Sequence, residues 1–319
     1  MTSEVDLGID DLSDYQTIGT GGFSTVMSAW DEGFRRRVAI KVIHSLDEAG
    51  RRRFERERGI MGQLSSHTNV IMPFRAGYTA TGAPYLVMEL VDGGSLEDLA
   101  IDRGPIPWRE AIDYILPATA ALGHAHQQGI LHRDVKPANI LLAGATPKLT
   151  DFGIAALRES TASVVAYTLS HCPPETFATG YDNRDERSDL YSMASTLYTL
   201  LTGGFAPYDA EEPDSDSQQA YMFRIIGHDL PEVPAHLEVP ESLRQFLRAA
   251  LSKDPQERPQ SAAEFSAQLR EIVAAADRPT VFGGPGDPAS STANTLHHQP
   301  LDPDHTRPMQ LPTPPLPTH

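Results

Sequence analysis

The chain has 319 residues, of which 40% are hydrophobic, and its formal net charge is −17 at pH 7. Cys172 is its single cysteine, which excludes an intramolecular disulfide framework and suits a reducing compartment. The acidic balance argues against nucleic acid or an anionic membrane as the main partner. An acidic start and the lack of an apolar run of about 18 residues indicate neither a signal peptide nor a membrane span, so we expect a cytoplasmic protein.

Residues 13–91 follow a short extension, residues 1–12, and have the pattern of strands with one helix. Runs rich in β-branched and aromatic residues predict strands near residues 15–18, 25–30, 37–43 and 85–91. Residues 47–64 are highly charged, and their apolar side chains can share one face, which predicts a helix. Asp92-Gly93-Gly94 then breaks the last strand and indicates a hinge.

Residues 92–275 have mostly helical periodicity, which predicts a larger helical part. The clearest helical segments lie at residues 107–128, 190–201, 240–251 and 261–275. Pro117 should kink or shift the first of these helices. Ser261 and Glu264 have the spacing of a capping box at the start of the last one.

Residues 276–319 form a tail of different composition. Ten of the 43 residues from Asp277 onward are proline, and most of the others are small or polar. Such a composition cannot bury a core, so we predict a disordered, proline-rich tail.

Two short motifs carry most of the chemical information in this chain. In the first, His-Arg-Asp-Val-Lys-Pro-Ala-Asn at residues 132–139, a carboxylate, an ammonium and an amide stand at short fixed offsets. The second, Asp151-Phe152-Gly153, adds another carboxylate. Phosphoryl transfer from ATP needs a group that orients the acceptor hydroxyl, a cation near the transferred phosphate and oxygen ligands for Mg²⁺. The two motifs in this order indicate a phosphotransferase.

A glycine-rich turn follows the first predicted strand and contains Gly19, Gly21 and Gly22. Glycines allow backbone amides to approach phosphate oxygens closely. The turn is neither a P-loop, because no Gly-Lys-Ser/Thr is present, nor a dinucleotide fingerprint, because a strand follows it. Its interpretation depends on Lys41, which stands among apolar residues 15 positions after Val26 and would point toward phosphates.

Lys41 needs an anionic partner, and the predicted helix at residues 47–64 offers two. Glu57 shares a helical face with Phe54 and Met61, so we favour it as the partner. Glu55 remains the alternative.

Taken together, these motifs resemble those of eukaryotic-like bacterial Ser/Thr protein kinases of the actinobacterial type, over about residues 15–273. The resemblance implies an α+β, bilobal protein-kinase fold. In it, residues 13–91 form a small, mainly β N-lobe with one key helix, and residues 92–275 form a larger, mainly α C-lobe. It also implies ATP and Mg²⁺ as cofactors and transfer of the γ-phosphate to hydroxyls of protein substrates.

The resemblance also implies roles for individual residues. Asp134 matches the catalytic Asp that orients the hydroxyl, Lys136 the Lys that neutralises the transferring phosphate, and Thr168 the Thr that contacts both. Asn139 and Asp151 match the Mg²⁺ ligands. Lys41 and Glu57 match the pair that holds the phosphates. The resemblance therefore implies that Lys41 takes part both in nucleotide binding and in catalysis.

The nucleotide itself would lie between the glycine-rich turn, the hinge and two apolar walls. Met88 matches the gatekeeper, and Glu89 and Val91 would offer backbone groups to adenine. The implied nucleotide-binding residues are Ile18, Gly19, Gly21, Gly22, Val26, Ala39, Lys41, Glu57, Met88, Glu89, Val91 and Leu141.

Three further matches are supports rather than catalytic groups. Glu175, in Pro173-Pro174-Glu175, and Arg258 match a buried ion pair that anchors the substrate-binding platform. Asp189 matches the Asp that braces the backbone of the catalytic loop. These supports favour a protein kinase over a phosphotransferase that acts on a small metabolite.

Regulation and acceptor preference are less determined by the sequence. Arg133 matches the Arg that pairs with a phosphate on the activation loop, so we predict autophosphorylation, first at Thr161 and then at Ser163, through a transient homodimer. Tyr167 and His171 depart from the family pattern, and so does Ser24 at the third position of the glycine loop. These departures leave the acceptor preference open.

Charge and the tail suggest further partners. Residues 1–91 and 277–319 each have a net charge of −2, so the middle segment carries −13. A solvated acidic surface is the simpler interpretation, and a mild preference for basic substrates is the alternative. The tail's threonines and prolines are candidate contacts for a phosphothreonine-binding or proline-recognising partner, and a nucleotide-binding scaffold is the competing function.

Overall fold

The structure is a computed structural model, and it describes residues 7–21, 24–44, 51, 54–55, 58–59, 62–64, 66–152, 169–179, 184–209 and 218–278. The chain divides into two units, Met1–Arg278 and Pro279–His319, and every described residue lies in the first. Within those ranges, no helix is both long and apolar enough to cross a membrane. The predicted disorder of the tail concerns residues outside the described ranges, except Ala276–Arg278.

The N-terminal part is a five-stranded antiparallel sheet with the order β1-β2-β3-β5-β4. Its strands are β1 (Leu12–Thr20), β2 (Ser24–Asp31), β3 (Arg36–Ile43), β4 (Pro73–Tyr78) and β5 (Pro84–Glu89). Side chains alternate between the two faces of a strand. Val38 and Ile40 of β3 therefore pack in one apolar cluster, whereas Ala39 packs in the other with Met88. Lys41 has the same parity as Ala39, which directs it to the face that carries the site.

A helical segment lies between β3 and β4. Residues 51, 54–55, 58–59 and 62–64 are helical, and Phe54 and Leu64 are buried. The helix predicted there is thus present in the described residues. Glu57 and Met61, on which the choice of the Lys41 partner was based, lie outside them.

The C-terminal part is mainly helical. Its helices are α1 (Leu96–Arg103), α2 (Trp108–His126), α3 (Glu175–Thr179), α4 (Glu186–Thr202), α5 (Gln218–Gly227), α6 (Glu241–Ala250) and α7 (Ala262–Ala276). Helix α2 packs against α4 and α7 around one apolar core. Helix α4 is buried along most of its length, and Thr196 and Thr199 donate hydrogen bonds of 2.9 Å to carbonyls four residues earlier. Local bonds of this kind let polar residues occupy a buried helix.

A two-stranded hairpin, β6 (Ile140–Ala143) and β7 (Thr146–Leu149), joins the hinge to the catalytic segment. The Gly93 amide donates to the Leu142 carbonyl at 3.1 Å, and the Leu142 amide donates to the Gly94 carbonyl at 2.9 Å. A Cβ atom on Gly93 would lie 2.3 Å from the Leu142 carbonyl oxygen. Only glycine allows this close approach between hinge and hairpin.

Three details differ from the sequence-based prediction. Strand β5 ends at Glu89, two residues before the predicted end at Val91. Helix α2 runs through Pro117 as one continuous element. At the start of α7, Ser261 Oγ accepts from the Glu264 amide at 3.1 Å, but Glu264 Oε2 accepts from the Gln260 amide at 2.8 Å. The reciprocal half of the predicted capping box is therefore displaced by one residue.

Candidate active site

Asp189, in the first turn of α4, holds the backbone of residues 132–139, the catalytic loop. Its two carboxylate oxygens accept hydrogen bonds of 2.8 Å from the amides of His132 and Arg133, and His126 Nε2 lies 2.9 Å from Oδ2. Burial opposes ionisation of Asp189, but the hydrogen bond and charge of His126 outweigh it, so the pKa of this carboxyl is lowered. Arg133 has a φ of 69°, which is uncommon for a residue with a side chain. The predicted bracing role of Asp189 is confirmed.

His132 is a neutral hydrogen-bonding link between two parts of the site. Its Nε2 lies 2.8 Å from the Thr150 carbonyl oxygen, and the Asp134 amide donates to its Nδ1 at 3.2 Å. A carbonyl can only accept and an amide can only donate, which assigns the ring proton to Nε2. Burial lowers the pKa of His132, so the ring stays neutral to a lower pH than that of an exposed histidine.

Asp134, Lys136 and Asn139 form one hydrogen-bonded group. The Lys136 ammonium lies 3.1 Å from Asp134 Oδ2. Asn139 Nδ2 donates to the Asp134 backbone carbonyl at 2.7 Å and to Asp134 Oδ2 at 3.1 Å. The Asp134 side chain is buried, so these two donors supply hydrogen bonds to its carboxylate in a site that water reaches poorly. The geometry suits a carboxylate that receives the proton of an acceptor hydroxyl.

Lys41 pairs with Asp151, which follows β7. Lys41 Nζ donates to Asp151 Oδ2 at 2.6 Å, and the Lys41 side chain is 6% exposed. Asp151 has a φ of 66°, a second left-handed residue in the site. Glu55, the alternative partner of Lys41, instead accepts from the Tyr78 hydroxyl at 2.9 Å and pairs with Arg58 at 3.1 Å. Glu57, the favoured partner, lies outside the described residues.

Asn139 and Asp151 fit a site for Mg²⁺. The Thr150 amide donates to the Asn139 backbone carbonyl at 3.0 Å, which fixes the two candidate ligands beside each other. The Asn139 amide nitrogen is bonded to Asp134, which leaves its side-chain oxygen to face a cation. A carboxylate and an amide oxygen are hard ligands of the type that Mg²⁺ prefers.

The candidate adenine pocket is a small apolar cluster beside the hinge. Ala39 and Met88 are buried there, and Val91 and Leu141 pack against them. Across the sheet, Val26 pairs with Lys41, and Gly19 pairs with Val26. Three candidates remain from the glycine-rich turn and its approach. Ile18 is 54% exposed, and the Gly21 amide donates to the Ser24 carbonyl at 2.8 Å, which closes the turn. Gly22 lies outside the described residues.

Glu89 has a role that the sequence did not indicate. Its carboxylate accepts two hydrogen bonds, of 2.7 and 2.9 Å, from Lys148 in β7. The Met72 amide also donates to Glu89 Oε1 at 2.7 Å. The side chain of this hinge residue therefore connects the strand before the hinge to the hairpin after it.

Glu175 and Arg258 form the predicted buried ion pair, which is confirmed. Both guanidinium Nη atoms donate to Glu175 at 2.8 Å, and the Ser188 hydroxyl adds a third bond at 2.7 Å. The Arg258 side chain is fully buried. Burial opposes the charge of Glu175, but the hydrogen bonds and charge of Arg258 more than offset it and lower the pKa of Glu175.

A polar cavity of about 220 Å³ opens beside Lys136. Glu97, Ser170, His171 and Asp209 are among the residues that line it. His171 Nδ1 lies 2.8 Å from the Ser195 hydroxyl. Burial and the nearby charge of Lys136 lower the pKa of His171 to about 3, although Asp134 opposes this shift, so His171 is neutral near pH 7. The cavity is a recess beside the catalytic group in which part of an acceptor could lie.

Several predicted residues cannot be placed. Thr168, Tyr167 and the candidate phosphorylation sites Thr161 and Ser163 lie outside the described residues. Arg184, by contrast, received no role in the sequence analysis. It is buried next to the catalytic loop, and a charged residue followed by a helix cap gives no sequence signal for such a position.

Comparisons with known proteins agree with this geometry. The profile of the family described as "Protein kinase domain" matches residues 12–269. The serine/threonine-protein kinase PknK of Mycobacterium bovis is 34% identical over 273 residues, which cover 84% of this chain and 24% of PknK. The serine/threonine-protein kinase PknB of Mycobacterium leprae is 37% identical over 267 residues, which cover 80% of this chain and 42% of PknB. The chain thus spans less than half the length of these curated relatives.

A solved structure has a similar fold. The crystal structure of Rad53 residues 1–466 in complex with AMP-PNP superposes with a TM-score of 0.67 at 27% sequence identity. The match covers 81% of this chain and 64% of the Rad53 chain. The expected α+β, bilobal kinase fold is confirmed by this match together with the sheet and the helices described above. The chain belongs to the protein kinase family and is similar to the Ser/Thr kinases of the actinobacterial type.

Proposed function

We propose that this chain is a Ser/Thr protein kinase that transfers the γ-phosphate of ATP to hydroxyls of protein substrates. The observation that carries the proposal is one group of side chains joined by hydrogen bonds and ion pairs. Its members are Lys41, Asp134, Lys136, Asn139 and Asp151. The profile match and the printed names of the mycobacterial relatives support the same activity. The AMP-PNP complex of Rad53 supports ATP as the phosphate donor.

In the proposed reaction, Asp134 orients the acceptor hydroxyl and receives its proton. The acceptor oxygen forms a bond to the γ-phosphorus while the bond from that phosphorus to the leaving oxygen of ADP breaks. Lys136 and Lys41 place positive charge beside the phosphates, where negative charge develops. Mg²⁺, held by Asn139 and Asp151, would neutralise the phosphate oxygens.

The nucleotide pocket follows from the same proposal. Ala39, Met88, Val91 and Leu141 supply an apolar surface for adenine, and Val26 lies next to Lys41 in the sheet. Because β5 ends at Glu89, the backbone beyond it leaves the sheet and can present hydrogen-bonding groups to the base. Gly19, Gly21 and Gly22, with Ile18, would cover the phosphates.

A phosphotransfer assay tests this function. The full chain is incubated with γ-labelled ATP, Mg²⁺ and a generic basic protein, beside Asp134→Asn and the exposed control Asp113→Asn. We expect the Asp134 variant to bind ATP normally and to lose about 10² or more of its turnover, with the control unchanged. Nucleotide binding without transfer would instead support a scaffold, and transfer only to small metabolites would support a metabolite kinase.

We also propose that activation-loop phosphorylation regulates the enzyme. Arg133 lies next to Asp134, and no ion-pair partner of its guanidinium is found among the described residues. Thr161 is the first candidate and Ser163 the second, modified in a transient homodimer. Mass spectrometry of fully active protein tests this, because active protein without a loop phosphate would contradict it.

The domain boundaries and the tail remain proposals. We place the kinase domain at residues 13–275 and assign residues 276–319 to a flexible recruitment tail in a cytoplasmic protein. Helix α7 extends to Ala276, one residue beyond the predicted boundary, so a truncation after Arg278 leaves the last helix intact. The truncated chain should melt within error of the full chain and keep its peptide-kinase activity. A loss of several degrees, the effect of about 1 kcal/mol or more, would place the boundary elsewhere.

A further inference from the structure

Arg184 is a buried arginine beside the catalytic loop, with a side chain that the reaction described above does not use. It is 8% exposed and precedes α4. Its guanidinium donates from Nε to Thr176 Oγ1 at 2.9 Å, from Nη1 to the Arg133 carbonyl at 2.8 Å and toward Cys172 Sγ at 3.4 Å. All three acceptors are uncharged, so these bonds depend on the shape of the guanidinium fork rather than on ion pairing.

The bond to the Arg133 carbonyl acts directly on the position of Asp134. That carbonyl belongs to the same peptide group as the Asp134 amide, and the amide donates to His132 Nδ1. The peptide group that precedes the catalytic carboxylate is therefore held at both ends, by Arg184 at its oxygen and by His132 at its nitrogen. Asp189 fixes the preceding Arg133 amide.

The other two bonds reach residues 172–176, the segment that we call the substrate-binding platform. Cys172 precedes Pro173-Pro174-Glu175, and Thr176 follows it. Arg258 anchors this platform from its far side through Glu175, and contacts neither Arg133 nor Asp134 among the bonds found in the described residues. Arg184 thus joins the platform directly to the catalytic loop.

We propose that Arg184 is a positioning residue that sets the acceptor hydroxyl relative to the Asp134 carboxylate. The inference rests on the proposed kinase function and adds a determinant of acceptor geometry. Transfer depends steeply on alignment, since a displacement of about 1 Å can lower a rate by about 10². Lysine keeps the charge of Arg184 but cannot reach three divergent acceptors.

The test compares Arg184→Lys with the matched variant Arg187→Lys. Arg187 lies three residues later and pairs with Asp185 at 2.5 Å, and its described side-chain hydrogen bonds go to Asp185 and Gln260. Steady-state kinetics give KM and kcat for an acceptor peptide, and ATP hydrolysis without peptide gives the rate with water as acceptor. For Arg184→Lys we expect peptide kcat/KM to fall about tenfold or more, while the KM for ATP and ATP hydrolysis stay within about twofold.

Equal losses of peptide transfer and ATP hydrolysis, or an unchanged peptide kcat/KM, would overturn the proposal. If Arg184→Lys does not fold, Thr176→Val removes one acceptor and decides the question by the same split between peptide and water. In a double-mutant cycle the two variants should be non-additive, because they remove one shared interaction.

A second readout separates this proposal from the proposed function. Hydrogen exchange at the Asp134 amide should accelerate at least several-fold in Arg184→Lys and not in Arg187→Lys, whether or not the protein is active. Faster exchange in Arg184→Lys, together with a wild-type chain that phosphorylates no acceptor, would retain the Arg184 link but reject the kinase activity. Unchanged exchange would reject the link itself.

Discussion

The ammonium nitrogen of Lys41 lies 2.6 Å from Oδ2 of Asp151, and the two residues are 110 positions apart in the chain. Lys41 belongs to β3 of the sheet, and Asp151 follows β7 of the hairpin. Both side chains are largely buried, so their interaction is weakly screened by solvent. This one contact brings the candidate phosphate-binding cation and the candidate metal ligand to the same point between the lobes.

The first prediction separates the two members of this pair. Asp151→Asn should abolish the Mg²⁺ dependence of nucleotide binding, because it removes the charged ligand. Lys41→Met should mainly lower catalysis, by about 10² or more, because the cation acts on developing phosphate charge. Calorimetric titration of ATP with and without Mg²⁺, together with turnover measurements, checks both effects.

Lys148→Met is the matched control for this experiment. It removes another partly buried Lys–carboxylate pair, which joins β7 to Glu89 at the end of β5. An equal loss of turnover in Lys148→Met would indicate a general structural effect and contradict a specific role for Lys41.

The second prediction concerns the buried pair of Glu175 and Arg258. Arg258→Met leaves a buried carboxylate without its cation and should lower the free energy of unfolding by about 3–5 kcal/mol. The double variant Glu175→Gln, Arg258→Met should recover part of this loss, because no uncompensated charge remains. Denaturant unfolding of the three proteins checks it, and equal stability of the single and double variants would show that the charge is not the cause.

The third prediction is a loss of stability in mild acid. The pKa of His171 is lowered from 6.5 to about 3 in the folded chain by burial and by Lys136, so only the unfolded chain takes up this proton between these values. The contribution of His171 to the free energy of unfolding is therefore fully present above about pH 6.5. It decreases by up to ~1.4 kcal/mol for each pH unit as the pH falls. His132, whose pKa is also lowered by burial, acts in the same direction.

Urea unfolding between pH 7.5 and 5 measures this slope. His171→Asn should unfold with a shallower dependence on pH than the wild type. His228→Asn, at an exposed histidine, serves as the control. A slope that is identical in all three proteins would exclude His171 as its source.

The fourth prediction concerns the charge of the acceptor. Glu97 lines the cavity beside Lys136 and is exposed, so it can meet a basic side chain of a bound peptide. Glu97→Gln should reduce the preference for an arginine-containing peptide over its glutamine analogue by about two- to fivefold, since exposed charges contribute little. Asp102→Asn, on the same helix but outside the cavity lining, should leave the ratio unchanged. If Glu97→Gln keeps the full preference for the arginine-containing peptide, another residue must cause that preference.

The sequence predicted the parts of the site that depend on short-range spacing. The offsets among Asp134, Lys136 and Asn139 follow from a motif whose backbone geometry is local, and the structure brings these three side chains together. The Glu175–Arg258 pair was also predicted, although only because the resemblance assigned each partner a position. Periodicity alone predicted α4, because a long apolar run with a polar start is typical of a buried helix.

Other contacts could not be predicted, for identifiable physical reasons. Arg184 donates to one hydroxyl oxygen, one backbone carbonyl oxygen and one sulfur. Because every residue has a backbone carbonyl and hydroxyls are common, such acceptors give no signal in a sequence. The Glu89–Lys148 pair depends on how the hairpin meets the hinge, which neither segment encodes by itself. At Glu264, the spacing fitted a capping box, but the backbone offered the Gln260 amide instead. Charged side chains with several reachable partners are thus the least predictable elements here.

The contact between Gly93 and Leu142 limits where the two lobes can pivot. Hydrogen bonds in both directions join residues 93 and 94 to the hairpin, so this stretch moves with the C-lobe as an added strand. Strand β5 holds Glu89 in the sheet of the N-lobe. Opening or closing of the cleft therefore requires backbone rotations at Leu90, Val91 and Asp92. Rotations are also needed just before β4, because the Ile71 amide donates to the Leu149 carbonyl of the hairpin at 2.9 Å. A ligand that binds Val91 would therefore restrain one of the segments about which the lobes rotate, in addition to occupying the candidate pocket.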